Sequence, residues 1–123
     1  MTDVKVVDAS ALAALIFAEP EAKNIATRLE SARLAAPSLL DFELANVCLT
    51  KIRRQPGDRD ALRAAFHLAH RLRVETVAVE HTAIVDLAEA TGLTAYDASY
   101  LWLARALDAE LVTLDRKLAA AAI

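Results

Sequence analysis

The chain is poor in the residues that usually punctuate a fold. It has two glycines, three prolines and one cysteine in 123 residues. With Cys48 alone, no internal disulfide can form, and the composition fits a reducing compartment such as the cytoplasm. The glycines, Gly57 and Gly92, follow no predicted strand, which excludes the phosphate-cradling P-loop and the dinucleotide fingerprint. No apolar run reaches the ~18 residues of a spanning helix, so no membrane association is expected. The opening Met1-Thr2-Asp3 lacks the basic region and apolar core of a secretory signal. A positive excess is missing too: the net charge of -3 argues against coating nucleic acid through a broad field, but not against engaging it locally.

What the chain does have is apolar bulk. At 56% hydrophobic, with Ala-rich helical stretches, its length suits one tightly packed domain over 1–123. Strands are predicted at 4–7, 34–36, 74–79 and 110–114. Helices are predicted at 9–17, 21–31, 39–54, 59–72, 82–91, 95–107 and from 116 onward. Ser38 and Thr94 stand where N-caps belong, Gln55-Pro56-Gly57-Asp58 forms a turn, and Gly92 suits the residue after a helix. Strands alternating with helices predict an α/β fold: a three-layer α/β/α domain around a central, mostly parallel sheet.

Four acids stand against this apolar background. Asp8 closes Val4-Lys5-Val6-Val7, and Asp115 closes Leu111-Val112-Thr113-Leu114. Glu43 and Asp97 lie within apolar helical stretches. An unpaired charge is costly to bury. Asp8 and Asp115 also suit helix N-caps, and Asp97 follows Thr94 at capping-box spacing. Capping does not explain Glu43, whose neighbours Leu39, Leu40 and Val47 at i−4, i−3 and i+4 place it with the apolar stripe. Asn46, at i+3, is positioned to support it. In parallel α/β sheets, sites form beyond the carboxyl ends of strands, the edge that Asp8 and Asp115 share if their strands are parallel. Four carboxylates in one cleft repel unless a cation joins them, and Mg²⁺ or Mn²⁺ suits an all-oxygen set. The chemistry most often asked of such a cluster is phosphodiester hydrolysis.

The segments VVDAS, APSLLDFELANV, GLTAYDASYLWLA and ELVTLDRKL, in that order along the whole chain, resemble the signature of PIN-domain ribonucleases, particularly the VapC toxins of prokaryotic toxin–antitoxin pairs. The resemblance implies a PIN-like fold and Mg²⁺-dependent endoribonuclease activity, with acidic ligands at Asp8, Glu43, Asp97 and Asp115 and supporting hydroxyls at Ser10 and Thr113. It also implies an RNA substrate, a VapB-type antitoxin as partner and a homodimer. The chain stops at Ile123, whereas members often continue into a further strand. Asp108 stands where glycine is common before the last strand.

Other features have plainer readings. His67 and His70, at i,i+3, lack a third ligand nearby and read as surface histidines; His81 is isolated. Cys48 reads as core. Tyr96, Tyr100 and Trp102 read as packing residues before base-stacking ones. Lys51, Arg53 and Arg54 suit the C-terminal end of a helix dipole or, with Arg116 and Lys117, a phosphate-contacting rim. Leu12, Leu15, Ile16 and Phe17 form an apolar patch, part core and part possible seat for an antitoxin helix. The alternative to an enzyme is a non-catalytic PIN-like module that binds RNA or protein. A receiver-type phosphoacceptor fits the length but lacks a mid-chain strand-end Asp and a Lys closing a late strand.

Overall fold

A computed structural model describes residues 3–123; Met1 and Thr2, on which the expectation of no secretory signal partly rests, lie outside the described residues. Four strands form the sheet: β1 (Val4–Val7), β2 (Arg33–Pro37), β3 (Glu75–Val77) and β4 (Glu110–Val112). Their order is β3-β2-β1-β4, and all three pairings are parallel. The register sets Val6 against Ala35 on one side and Leu111 on the other. The central strand is buried from both sides, which its near-continuous apolar run requires.

Among the described residues seven α-helices accompany the sheet: α1 (Ala9–Ile16), α2 (Ala22–Leu29), α3 (Leu39–Arg54), α4 (Arg59–Leu68), α5 (His81–Thr91), α6 (Ala95–Ala106) and α7 (Arg116–Ala121). Two crossovers, β1 to β2 and β2 to β3, run outward in one direction, and the return from β3 to β4 runs back past them. Parallel crossovers are right-handed, so the outward helices α1–α4 and the returning α5–α6 cover opposite faces. The contacts agree: α1 packs on α2 and α3, and α3 on α4, whereas α6 packs on α5, α7 and the strands β1, β2 and β4. Tyr100, Leu12, Ile25, Leu40, Leu101, Leu103 and Leu118 are the largest side chains sealed between these layers.

The sequence expectations meet three local differences. Ser38 does not cap α3: its own backbone is helical (φ −61°, ψ −21°) and its side chain makes no capping bond. The helix expected over 59–72 is α4 followed by a 3₁₀ turn, Ala69–Leu72, which ends at Arg73 in the left-handed region (φ 52°). The third strand is shorter than expected. Asp108, where the resemblance leads one to expect glycine, also has positive φ (50°), the backbone region that glycine enters at least cost. Gly92 ends α5 in the same region (φ 73°), as its position predicts.

Candidate active site

Because β1 and β4 are parallel neighbours, the residues that follow them leave at one edge of the sheet. Asp8 follows β1 and continues its pairing through Asp8 N to Val112 O (3.2 Å). It is only 5% exposed. Its Oδ1 accepts from Ala11 N (3.0 Å) and Ser10 Oγ (2.7 Å), and its Oδ2 accepts from Thr113 Oγ1 (2.5 Å). A carboxylate has about four acceptor positions, so three donors satisfy Asp8 and leave one lone pair for another ligand. Ser10 Oγ also accepts from Leu114 N (2.9 Å), and Thr113 Oγ1 from Asp115 N (3.0 Å). The two hydroxyls thus hold the chain after β4 against the start of α1. Asp115 Oδ1 caps α7 through Leu118 N (2.9 Å), as its position before a helix predicts.

The other two acids come from helices. Asp97 lies in the first turn of α6, where its backbone N donates to the capping hydroxyl of Thr94 (3.1 Å). One turn on, Tyr100 is 1% exposed, and its phenol donates to Glu43 Oε1 on α3 (2.6 Å). This bond corrects the assignment of Asn46 as the support for Glu43. Asn46 is exposed and makes no hydrogen bond to Glu43 among the described residues. Leu40, Leu44 and Cys48 set the buried stripe of α3, and Glu43 lies on its flank toward α6, whereas Asn46 is rotated toward solvent. The sequence held a signal for Tyr100: it is a polar-tipped aromatic three residues after Asp97, on the same helix face.

The acids share one electrostatic neighbourhood. Burial raises the Asp8 pKa, its donors Thr113, Ala11 and Ser10 oppose the rise, and the Asp115 charge adds to it. Burial also raises Glu43, opposed by Tyr100, with Asp97 and Asp8 adding. Asp97 is raised by burial and then by Asp115 and Asp8, against the pull of Lys117 and Thr94. Burial, and then Glu43, push the Tyr100 phenol far above its ordinary value, so it stays a proton donor.

Among the described residues, however, no three His, Cys, Asp or Glu side chains close into a ready-made metal cluster. The set is open. An open, oxygen-only donor set fits Mg²⁺, which keeps several waters and takes few carboxylates, better than a closed all-protein cage would. Softer ligands stand elsewhere: Cys48 is in the core near Leu62 O, and His67 and His70 are exposed and face each other edge-on.

Two expected rim cations are engaged in other contacts. Lys51 pairs with Glu19 (2.8 Å) and lies over the Phe17 ring, and Lys117 Nζ donates to Gly92 O (2.7 Å). Of the aromatic residues, Tyr100 is core, whereas Tyr96, beside Asp97, is 67% exposed.

Comparison with known proteins places this arrangement. The PIN domain family model matches residues 5–123. A VapC ribonuclease of Mycobacterium bovis and ribonuclease VapC9 of Mycobacterium tuberculosis are each 36% identical over 118 residues, covering 92% of this chain and 87% of theirs. Ribonuclease VapC3 of Pyrobaculum aerophilum is 33% identical over 119 residues, covering 93% of this chain and 91% of its own. The crystal structure of PAE2754 from Pyrobaculum aerophilum superposes with a TM-score of 0.78 at 27% identity, over 98% of this chain and 79% of that one. Parallel sheet, strand-end acids and sequence kinship agree, and the chain belongs to the PIN-domain family, with VapC ribonucleases among its relatives.

Proposed function

We propose that the protein is a divalent-metal-dependent endoribonuclease, acting in the cytoplasm as the toxin of a VapBC-type pair. The observation that carries this reading is the electrostatic convergence of Asp8, Glu43, Asp97 and Asp115 from two strand ends and two helices. The printed names of the relatives, VapC ribonucleases, support it from the side of kinship. The four acids would hold Mg²⁺, with Mn²⁺ as a substitute. When bound, such an ion lowers the pKa of water and neutralises charge on the phosphate and the leaving oxygen.

The rest falls to the chain's own groups. Ser10 and Thr113 fix the Asp8 carboxylate, so it meets a ligand already oriented. The Tyr100 phenol, which remains protonated, fixes Glu43 Oε1 and leaves Oε2 without a hydrogen bond among the described residues. Asp97 stands in the first turn of α6 and Asp115 caps α7, so the start of each helix fixes where its carboxylate leaves the backbone.

The same reading supplies an RNA substrate, a VapB-type antitoxin and a homodimer. Phe42 and Leu49, seven residues apart on α3 and both exposed, give one apolar strip suited to a second copy.

The test is cleavage of total RNA with Mg²⁺ or Mn²⁺, with chelator, and by Asp8→Asn and Asp97→Asn. Loss of transition-state charge stabilisation predicts a fall of ~10²-fold or more in each variant. Equal cutting in chelator, or by both variants, would sink the assignment. Absence of calorimetric Mn²⁺ binding at millimolar metal favours the non-catalytic binding module instead.

A further inference from the structure

Charge is strongly segregated along this chain. Residues 51–73 hold seven of the fourteen Lys and Arg but only two of the seventeen Asp and Glu, a net +5 with His neutral. The remainder therefore carries −8. This cationic stretch comprises the end of α3, α4 and the 3₁₀ turn after it, and it borders a cavity of about 950 Å³. Apolar side chains of Leu12, Ile16, Leu40 and Phe66 line the cavity together with Arg63 and Arg73, the first two from the patch that the sequence also offers to an antitoxin helix. Among the described residues neither arginine forms an ion pair, although Lys5, Arg28, Arg33, Lys51 and Arg59 all do.

The backbone at Arg73 is a second, independent observation. Its φ of 52° lies in the left-handed region, which glycine or asparagine fills at least cost. The chain keeps a guanidinium there, as it keeps other non-glycine residues in that region at Ala18, Ser31 and Asp108, and Arg73 alone of these lines the cavity.

We propose that this cavity is a nucleotide subsite for single-stranded RNA, seating a base on the apolar floor while Arg63 and Arg73 hold flanking phosphates. The inference rests on the ribonuclease reading and says where such an enzyme holds its substrate. The acidic cleft is a poor place to do so, because its four carboxylates repel phosphate and Lys117, the cation that acts on Asp97, is tied to Gly92 O. A polyanion approaching a molecule that is −8 elsewhere finds its attraction on this face. On α3, Asp41 of the cavity wall and Glu43 of the cleft are two residues apart and so on different faces, and a strand reaching both would wrap around the start of that helix. Bases stack on apolar and aromatic surface while cations track the backbone, which is the division of labour the cavity offers.

The probe is a short labelled single-stranded RNA of mixed sequence, bound in chelator to prevent cutting and followed by anisotropy at several salt concentrations. The variant is Arg63→Ala with Arg73→Gly; glycine suits the left-handed backbone, so the melting temperature is expected to hold or rise. Affinity is expected to fall about tenfold or more, and the slope of log K against log salt to flatten by ~0.7 per lost phosphate contact. Arg105→Ala, a cation in the last turn of α6 at the opposite edge of the sheet, should change neither. Unchanged RNA affinity and slope in the double variant, with the wild type binding, would overturn the subsite and leave the nuclease reading intact. So would a double variant that binds RNA normally but loses an acidic protein partner. A wild-type protein that neither binds nor cuts RNA would overturn the nuclease reading and the subsite with it.

Discussion

Tyr100 binds Glu43 through a single phenolic proton, in a place where the ring is fully enclosed. Tyr100→Phe keeps the ring and removes that proton. Losing one buried hydrogen bond to a charged group costs ~1.5–3 kcal/mol of stability, to be read from urea unfolding. Cleavage should fall ~10–100-fold, the usual effect of deleting a group that orients a metal ligand. Cleavage and Mn²⁺ affinity both at wild-type level would leave Tyr100 a packing residue only.

The acids also make a pH prediction. Asp8, Glu43 and Asp97 have pKa values raised above the ordinary values of 3.8, 4.5 and 3.8. Between the unfolded and folded values the native chain holds more protons, so these groups make stability fall as pH rises through that window, then level off. The metal-free melting temperature of Asp97→Asn should therefore exceed that of wild type above the window, with the gap closing toward about pH 4. A gap that widens on acidification contradicts the sign.

At the scale of elements, helix starts serve two purposes. Asp115 both caps α7 and faces the cleft, and the two roles separate chemically. Asparagine caps about as well as aspartate but carries no charge. Asp115→Asn should thus keep stability within about 0.5 kcal/mol while cleavage falls steeply, whereas Asp115→Ala should lose both, the cap costing ~1 kcal/mol. Denaturant midpoints beside cleavage rates decide the matter.

The same duality explains what was legible in the sequence. Asp8 and Asp115 announced themselves by closing apolar runs, and α6 by its Thr94 cap. Glu43 was found by helical phase, but its partner was not. Asn46 is near in sequence, while Tyr100 is 57 residues away on another helix, and periodicity within α3 carries no information about that contact. Ser38 misled for a local reason: its own backbone is already helical, so its hydroxyl has no capping geometry.

For the molecule as a whole, the cleft acids raise one another's pKa values, a repulsion that a bound divalent ion would relieve. A divalent ion that binds only the native state adds about 2.7 kcal/mol at a hundredfold excess over its Kd. Mn²⁺ should raise the melting temperature of the wild type, chelator should reverse it, and Asp8→Asn should blunt it. A flat response in the wild type would mean the acids do not act as a metal site.

The strand order β3-β2-β1-β4 has one more consequence, in time instead of space. The chain builds outward from β1 to β3 and only then returns to lay β4 beside its beginning. The bond that fixes Asp8 comes from Thr113, 105 residues later. During synthesis, Asp8, Glu43 and Asp97 are all made before the strand that orients the first of them. A nascent chain interrupted short of β4 would carry Asp8, Glu43 and Asp97 without the strand end that orients Asp8 and leads to Asp115.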